Sequence, residues 1–142
     1  NVLAEMRQLR LDIQMAAMTI QRVQIAMFRL QVESAQLDRV KERVLQAKQQ
    51  CDMLQQRRNH QTLQLERASH PPRSGDSSFD ANQANATLQY FKNELAEIAA
   101  EEPKCQAELA EAESQFRQQE AKTTAIQDQL DRLDQYLAGA KR

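Results

Sequence analysis

The sequence predicts an all-α protein: a long antiparallel two-helix coiled-coil hairpin that assembles with a second copy into a four-helix dimer. Three observations support this prediction. The 142 residues include only 2 Gly and 3 Pro, and neither type occurs from Asn1 to Ser69. Strong helix formers such as Ala, Leu, Gln and Glu dominate the composition. Apolar residues recur at alternating steps of three and four, which is the repeat of a coiled-coil seam of a and d positions.

The composition also excludes several classes of protein. An aromatic content of 4 % is too low for a thick globular core or for a sheet-rich fold. A net charge of −1 argues against nucleic-acid binding, which normally needs a marked basic excess. No run of about 18 apolar residues occurs, so we expect no transmembrane helix.

Pro and Gly divide the chain into two helices and one loop within a single hairpin domain, residues 1–142. The first helix is predicted at 2–69. The loop, 70–79, holds two of the prolines and one glycine. The second helix is predicted at 80–138, with Asp80 as its N-cap, Phe79 as a hydrophobic staple and Gly139 as its stop.

The second helix carries a seam sustained over about seven heptads. Three of its positions are polar, Glu102, Gln119 and Thr123. The predicted seam comprises Leu88, Phe91, Leu95, Ile98, Glu102, Cys105, Leu109, Ala112, Phe116, Gln119, Thr123, Ile126, Leu130, Leu133, Leu137 and Ala140.

The first helix is predicted to carry a matching seam that slips once. The step from Leu37 to Val40 breaks the alternation and reads as a three-residue stammer. The predicted positions before it are Leu9, Ile13, Ala16, Ile20, Val23, Met27, Leu30, Ser34 and Leu37. Those after it are Val40, Val44, Ala47, Cys51, Leu54, Arg58, Gln61, Leu65 and Ala68.

A short loop joins antiparallel helices far more easily than parallel ones, so the two helices should pair with each other. With the loop centred near residue 76, paired residues have numbers that sum to about 153. This register pairs Val44 with Leu109, Leu37 with Phe116, Val23 with Leu130, and Leu54 with Ile98. Opposite charge balances, +4 over residues 1–70 and −4 over 83–142, favour the same pairing.

A second set of apolar residues lies outside the seam in the first half of helix one. The set comprises Leu11, Met15, Met18, Ile25, Phe28 and Val32. An apolar outer face is not expected on a solvated hairpin, so these residues predict an intermolecular interface. The alternative is that sequence flanking this chain covers them.

Cys51 and Cys105 both fall at seam positions, close to one another in the predicted register. They can form a disulfide or remain as two buried thiols that pack as small apolar groups. Two cysteines placed this way, and a start at Asn1 rather than Met, favour a secreted or periplasmic location over a cytoplasmic one.

No pattern in the chain indicates catalysis, a cofactor or a metal. His60 and His70 have no second ligand at helical spacing. Glu101 and Glu102 are adjacent and therefore point apart on a helix. Pro103 predicts a kink or a hinge in the second helix.

We therefore expect a non-enzymatic scaffolding protein that self-associates through the first half of helix one. The alternative is a binding module or chaperone-like adaptor that captures a protein client or a membrane surface with the apolar face or the tip loop. The architecture resembles, without a shared motif, the helical hairpins of periplasmic membrane-fusion adaptors, prefoldin-type chaperones and the seryl-tRNA synthetase arm. The expected partners are a second copy and another protein, with no nucleic acid.

Overall fold

A computed structural model of the chain describes residues 1–70 and 81–140. Two helices account for nearly all of them: α1, Val2–Ser69, and α2, Ala81–Ala140. No strand occurs in these two ranges. The two helices pack against each other, which confirms the predicted all-α helical hairpin. The capping prediction for Phe79 and Asp80, and nearly all of the predicted loop, lie outside the described residues.

The bounds of α1 match the prediction, whereas the end of α2 differs from it. Asn1 caps the start of α1, because its side-chain oxygen accepts a hydrogen bond of 3.2 Å from the Leu3 backbone N–H. The prediction that Gly139 stops α2 is wrong. None of the described glycines has the positive φ of a helix cap, so Gly139 stays helical and α2 reaches Ala140. Pro103 lies inside α2.

The chain forms two compact units, each built from one segment of each helix. Unit 1 comprises Asn1–Glu42 and Ser114–Arg142, and unit 2 comprises Arg43–Glu113.

Unit 2 pairs its two helical segments antiparallel. The Arg57 guanidinium lies 2.6 Å from the Glu94 carboxylate. Arg58 Nη1 donates to both carboxylate oxygens of Glu102, each at 3.0 Å. Cys51 of α1 lies against Cys105 of α2, whereas the later residue Arg57 lies against the earlier residue Glu94, so the two segments run in opposite directions, as predicted. Ile98 is fully buried in this unit.

Unit 1 is also antiparallel, because Gln119 of α2 contacts Glu33 of α1, whereas the later α2 residue Tyr136 lines a groove with the earlier α1 residue Met18. Its core is thin and consists of a few apolar side chains: Ala26, Val40, Ile126 and Leu130. Two polar residues, Thr19 and Gln119, are buried among them. The Thr19 hydroxyl donates a hydrogen bond of 2.9 Å to the Met15 carbonyl, so its burial leaves no unpaired group.

The seam of α2 follows the sequence prediction closely. Every predicted seam position from Leu88 to Leu137 is buried or half-buried. The remaining one, Ala140, has no described side-chain environment. The a/d periodicity of α2 therefore identified the face that packs on α1.

The seam of α1 in unit 1 differs from the prediction. The buried and half-buried positions include Thr19, Val23, Ala26, Leu30, Glu33, Leu37 and Val40. These alternate at steps of four and three without a break, so the predicted stammer between Leu37 and Val40 is absent. Leu9, Ile13, Ala16, Ile20 and Met27, which the sequence placed in the seam, are exposed. Small residues, Thr19 and Ala26, take the layers that Ile20 and Met27 were expected to fill.

Candidate interaction surface

The first half of α1 exposes an unusual amount of apolar side chain. Thirteen large apolar residues in this fully described segment are at least half exposed: Val2, Leu3, Met6, Leu9, Leu11, Ile13, Met15, Met18, Ile20, Ile25, Met27, Phe28 and Val32. The other described residues add only Met53, Leu63, Tyr90 and Tyr136 at this level of exposure, with Leu45 slightly below it. Exposed apolar surface is therefore concentrated in one segment of one helix, a pattern that marks interaction sites.

One part of this surface is the face singled out in the sequence. Leu11, Met18, Ile25 and Val32 recur every seven residues and are each 51 % to 56 % exposed. We call these four residues the outer stripe. Met15 and Phe28 lie beside it and are also exposed. The structure thus places all six predicted interface residues on accessible surface of unit 1.

A second exposed stripe consists mostly of residues that the sequence had placed in the seam. Met6, Ile13, Ile20 and Met27 also recur every seven residues and are 50 % to 63 % exposed. We call them the flanking stripe. Because the seam of unit 1 runs through Thr19 and Ala26, Ile20 and Met27 each sit one position beyond a seam residue.

The two stripes lie on nearly opposite sides of α1. Successive residues of an α-helix are rotated by about 100°, so residues two apart, such as Met18 and Ile20, are separated by about 160° around the axis. The flanking stripe is about 70° from the centre of the seam, and the outer stripe is about 130° from it on the other side. A single partner helix cannot cover both stripes.

The beginning of α1 has no buried or half-buried residue in the structure of residues 1–70 and 81–140. Every residue from 1 to 18 is exposed, although Val2 onward is helical. An isolated helix of this length is marginal in water, because helix nucleation is costly and most helical stability comes from packing. Intermolecular packing of this segment would supply the missing stabilisation.

A shallow open groove adjoins the outer stripe in unit 1. It has a volume of about 370 Å³ and is lined by Met15, Met18, Thr19, Arg22, Arg132, Leu133 and Tyr136. Its floor is apolar and its two arginines are exposed. The groove extends the apolar surface of α1 onto α2.

Polar contacts cross the seam of each unit. Buried Gln119 donates to the Glu33 carbonyl at 3.1 Å and also to the Glu33 carboxylate. In unit 2, the hydrogen bond and charge of Glu94 raise the pKa of Arg57 above its usual value. The heptad pattern predicted a polar seam position at Gln119 but did not indicate Glu33, because no apolar periodicity marks a charged seam residue.

Cys51 and Cys105 face each other in unit 2. The structure joins them in a disulfide, with Cα atoms 5.6 Å apart. This separation lies within the range that a disulfide requires. It links the two helical segments of unit 2 across the seam.

Other kinds of site are absent from the described residues. Within 1–70 and 81–140 there is no group of three or more His, Cys, Asp or Glu side chains that could hold a metal ion. In the same ranges no helix is both long enough and apolar enough to cross a membrane. Comparisons with protein-family models, curated proteins and solved structures find no match for this chain.

Proposed function

We propose that this protein is a non-enzymatic scaffold that self-associates through the first half of α1. The observation that carries the proposal is the concentration of thirteen exposed large apolar side chains between Val2 and Val32. The rest of the chain offers no comparable surface among its described residues. The stripes of α1 are therefore best matched by the same stripes on a second copy.

The area available fits a stable contact between copies. Fully burying one large apolar side chain contributes about 1.5–3 kcal/mol, or roughly 60–120 Å² at about 25 cal/mol per Å². Each of the thirteen is at least half exposed, so together they offer on the order of 400–800 Å² per chain. A standard interface buries about 800 Å² per partner.

The test is the mass of the protein in solution, measured by analytical ultracentrifugation over a range of concentrations. We expect an assembly of the wild type, and a smaller mass for the Met18→Glu/Ile25→Glu variant. The matched control is Met53→Glu/Leu63→Glu, which changes two exposed apolar residues of α1 in unit 2. The control should keep the wild-type mass. A wild type that is monomeric at high concentration overturns the proposal.

A second candidate function is client capture by an adaptor. Four of the five methionines, Met6, Met15, Met18 and Met27, lie exposed in the first half of α1. Flexible methionine side chains suit surfaces that bind varied apolar partners. A monomer that suppresses the aggregation of an unfolded client protein, and loses this activity in Met18→Glu/Ile25→Glu, would favour this function over scaffolding.

A further inference from the structure

We propose that the α1 segment of unit 1 packs on α2 in two alternative states, which differ by a rotation of α1 about its own axis of about 50°. The observed state is the one described above. In the rotated state Ile20 and Met27 enter the seam, while Thr19 and Ala26 leave it. α2 of the same chain then covers both Ile20 and Met27. This inference does not depend on the proposed self-association.

Two heptad repeats run side by side along this segment. They share every second position: Val23, Leu30 and Leu37. At the positions between these, the observed seam uses Thr19, Ala26 and Glu33. The second repeat has the same steps of three and four and uses Ile20, Met27 and Ser34 instead. Each of its distinct residues therefore lies one place later in the chain than its counterpart in the observed seam.

A modest rotation of α1 exchanges the two repeats. Neighbouring residues are about 100° apart around a helix, and half of the seam positions are shared, so the centre of the seam moves by about 50°. Ile20 and Met27 lie about 70° from the centre of the observed seam, and the rotation brings them to about 20° from it. A three-residue stammer produces a phase change of this size, and the step from Leu37 to Val40 accommodates one. The packing of α1 beyond Val40 is then unchanged.

The rotated state places larger apolar side chains in two layers of the seam. Ile20 and Met27 are 50 % and 51 % exposed in the observed state. The two residues that they replace, Thr19 and Ala26, are small. Exposing Thr19 breaks no hydrogen bond, since its hydroxyl donates to the Met15 carbonyl of its own helix. Burial of apolar surface therefore favours the rotated state at both layers.

The polar layer of unit 1 is compatible with both states. Gln119 is buried on α2, and in the observed state its side-chain amide donates to the Glu33 carbonyl and carboxylate. Those hydrogen bonds hold the observed state. The corresponding residue of the second repeat, Ser34, is also half-buried. Rotation brings Ser34 opposite Gln119, and because a serine hydroxyl both donates and accepts, the buried amide keeps a partner.

The rotation would control which surface of α1 a partner can reach. Packed helices favour discrete arrangements over a continuous range of positions. Ile20 and Met27 are accessible in the observed state and covered in the rotated one. A partner that contacts these two residues therefore binds only the observed state and shifts the equilibrium towards it.

Oxidation of methionines in the full chain by hydrogen peroxide, mapped by mass spectrometry, reports which repeat is buried. Met18 is the internal reference, because it is exposed in the observed state and the rotation turns it further from α2. Thr19→Glu/Ala26→Glu places two charges in the observed seam and should populate the rotated state. If the variant retains about 10 % of the observed state, Met27 should oxidise about tenfold more slowly relative to Met18 than in the wild type.

Ile20→Glu is the matched control, since it places a charge in the second repeat only. Alone, it should leave the hydrogen-exchange protection of unit 1 unchanged, because Ile20 is half exposed in the observed state. Combined with Thr19→Glu/Ala26→Glu, it should restore the oxidation of Met27 and abolish the exchange protection of α1 in unit 1, because neither repeat is then apolar. The effects of the variants are thus expected to be strongly non-additive.

The outcomes separate the rotation from self-association. An equal ratio of Met27 to Met18 oxidation in the wild type and in Thr19→Glu/Ala26→Glu overturns the rotation, whether or not that variant stays helical. Additive effects of Ile20→Glu overturn it as well. Slowing of Met18 together with Met27 shows cover by another copy, which overturns the rotation and supports self-association. Selective slowing of Met27 in a chain that is monomeric by ultracentrifugation supports the rotation and overturns self-association.

Discussion

The Gln61 side chain has a buried oxygen that finds no hydrogen-bond partner among the described residues. A buried acceptor without a partner costs about 1–3 kcal/mol of desolvation. We therefore expect Gln61→Leu to raise the free energy of unfolding by about 1–2 kcal/mol, measured by urea denaturation. The control is Gln49→Leu, an exposed position of the same helix, which should change stability by less than about 0.5 kcal/mol. A destabilised Gln61→Leu variant would contradict the interpretation.

Glu33 and Gln119 show a different use of polarity at single positions. Gln119 is only 7 % exposed, and its side-chain amide donates a hydrogen bond to the Glu33 carbonyl across the seam. A polar pair inside an apolar seam lowers stability but fixes one register, because any slip leaves both groups unpaired. Thr19 avoids the same cost locally by donating to the Met15 carbonyl.

At the scale of the helices, the sequence predicted the two elements and the seam of α2 but only part of the seam of α1. The α1 prediction chose the larger residues Ile20 and Met27 over Thr19 and Ala26. Both choices share Val23, Leu30 and Leu37, so periodicity alone cannot separate two adjacent repeats. An unbroken repeat could have distinguished the two seams, since the repeat through Thr19 reaches Val40 without a stammer. The flanking stripe was missed for the same reason, because its residues had been assigned to the seam.

The disulfide between Cys51 and Cys105 ties the two helical segments of unit 2 across a sequence separation of 54 residues. Closing a loop of that length in the unfolded chain stabilises the fold by about 4 kcal/mol in the chain-entropy model, and about 2–4 kcal/mol is typical in practice. We expect reductant to lower the free energy of unfolding by about 2–4 kcal/mol. Cys51→Ala/Cys105→Ala should have the lower stability with or without reductant.

Thiol titration of the denatured, unreduced protein supplies the control for this experiment. It should detect no free thiol if the bond is formed. Two free thiols together with a stability that reductant does not change would contradict the assignment.

At the scale of the whole molecule, assembly should determine whether the beginning of α1 stays helical. Residues 1–18 are all exposed, although Met15 and Met18 line a groove together with residues of α2. In the variant that replaces Ile13, Met18, Ile20 and Ile25 by Glu, we expect the amides of residues 2–11 to exchange within about tenfold of the unprotected rate. In the wild type they should be protected. Hydrogen exchange measured by mass spectrometry gives both rates.

The amides of buried Ile98 and its neighbours in unit 2 serve as the internal control, because they should be protected in both proteins. Rapid exchange at residues 2–11 in the assembled wild type would show that the contact between copies lies elsewhere.

The antiparallel pairing also has a consequence for the order of folding. The ion pairs and the disulfide of unit 2 join residues 37 to 54 apart in sequence, whereas the Glu33–Gln119 contact in unit 1 spans 86. Loop closure costs more entropy as the loop lengthens, so nearby contacts form first and the more distant ones follow at a reduced cost. The contacts of unit 2 should therefore form before those of unit 1. The Cys51–Cys105 disulfide belongs to unit 2. Once it has formed, it holds the two helical segments together in the unfolded chain, so the contacts of unit 1 close a shorter loop when the protein refolds.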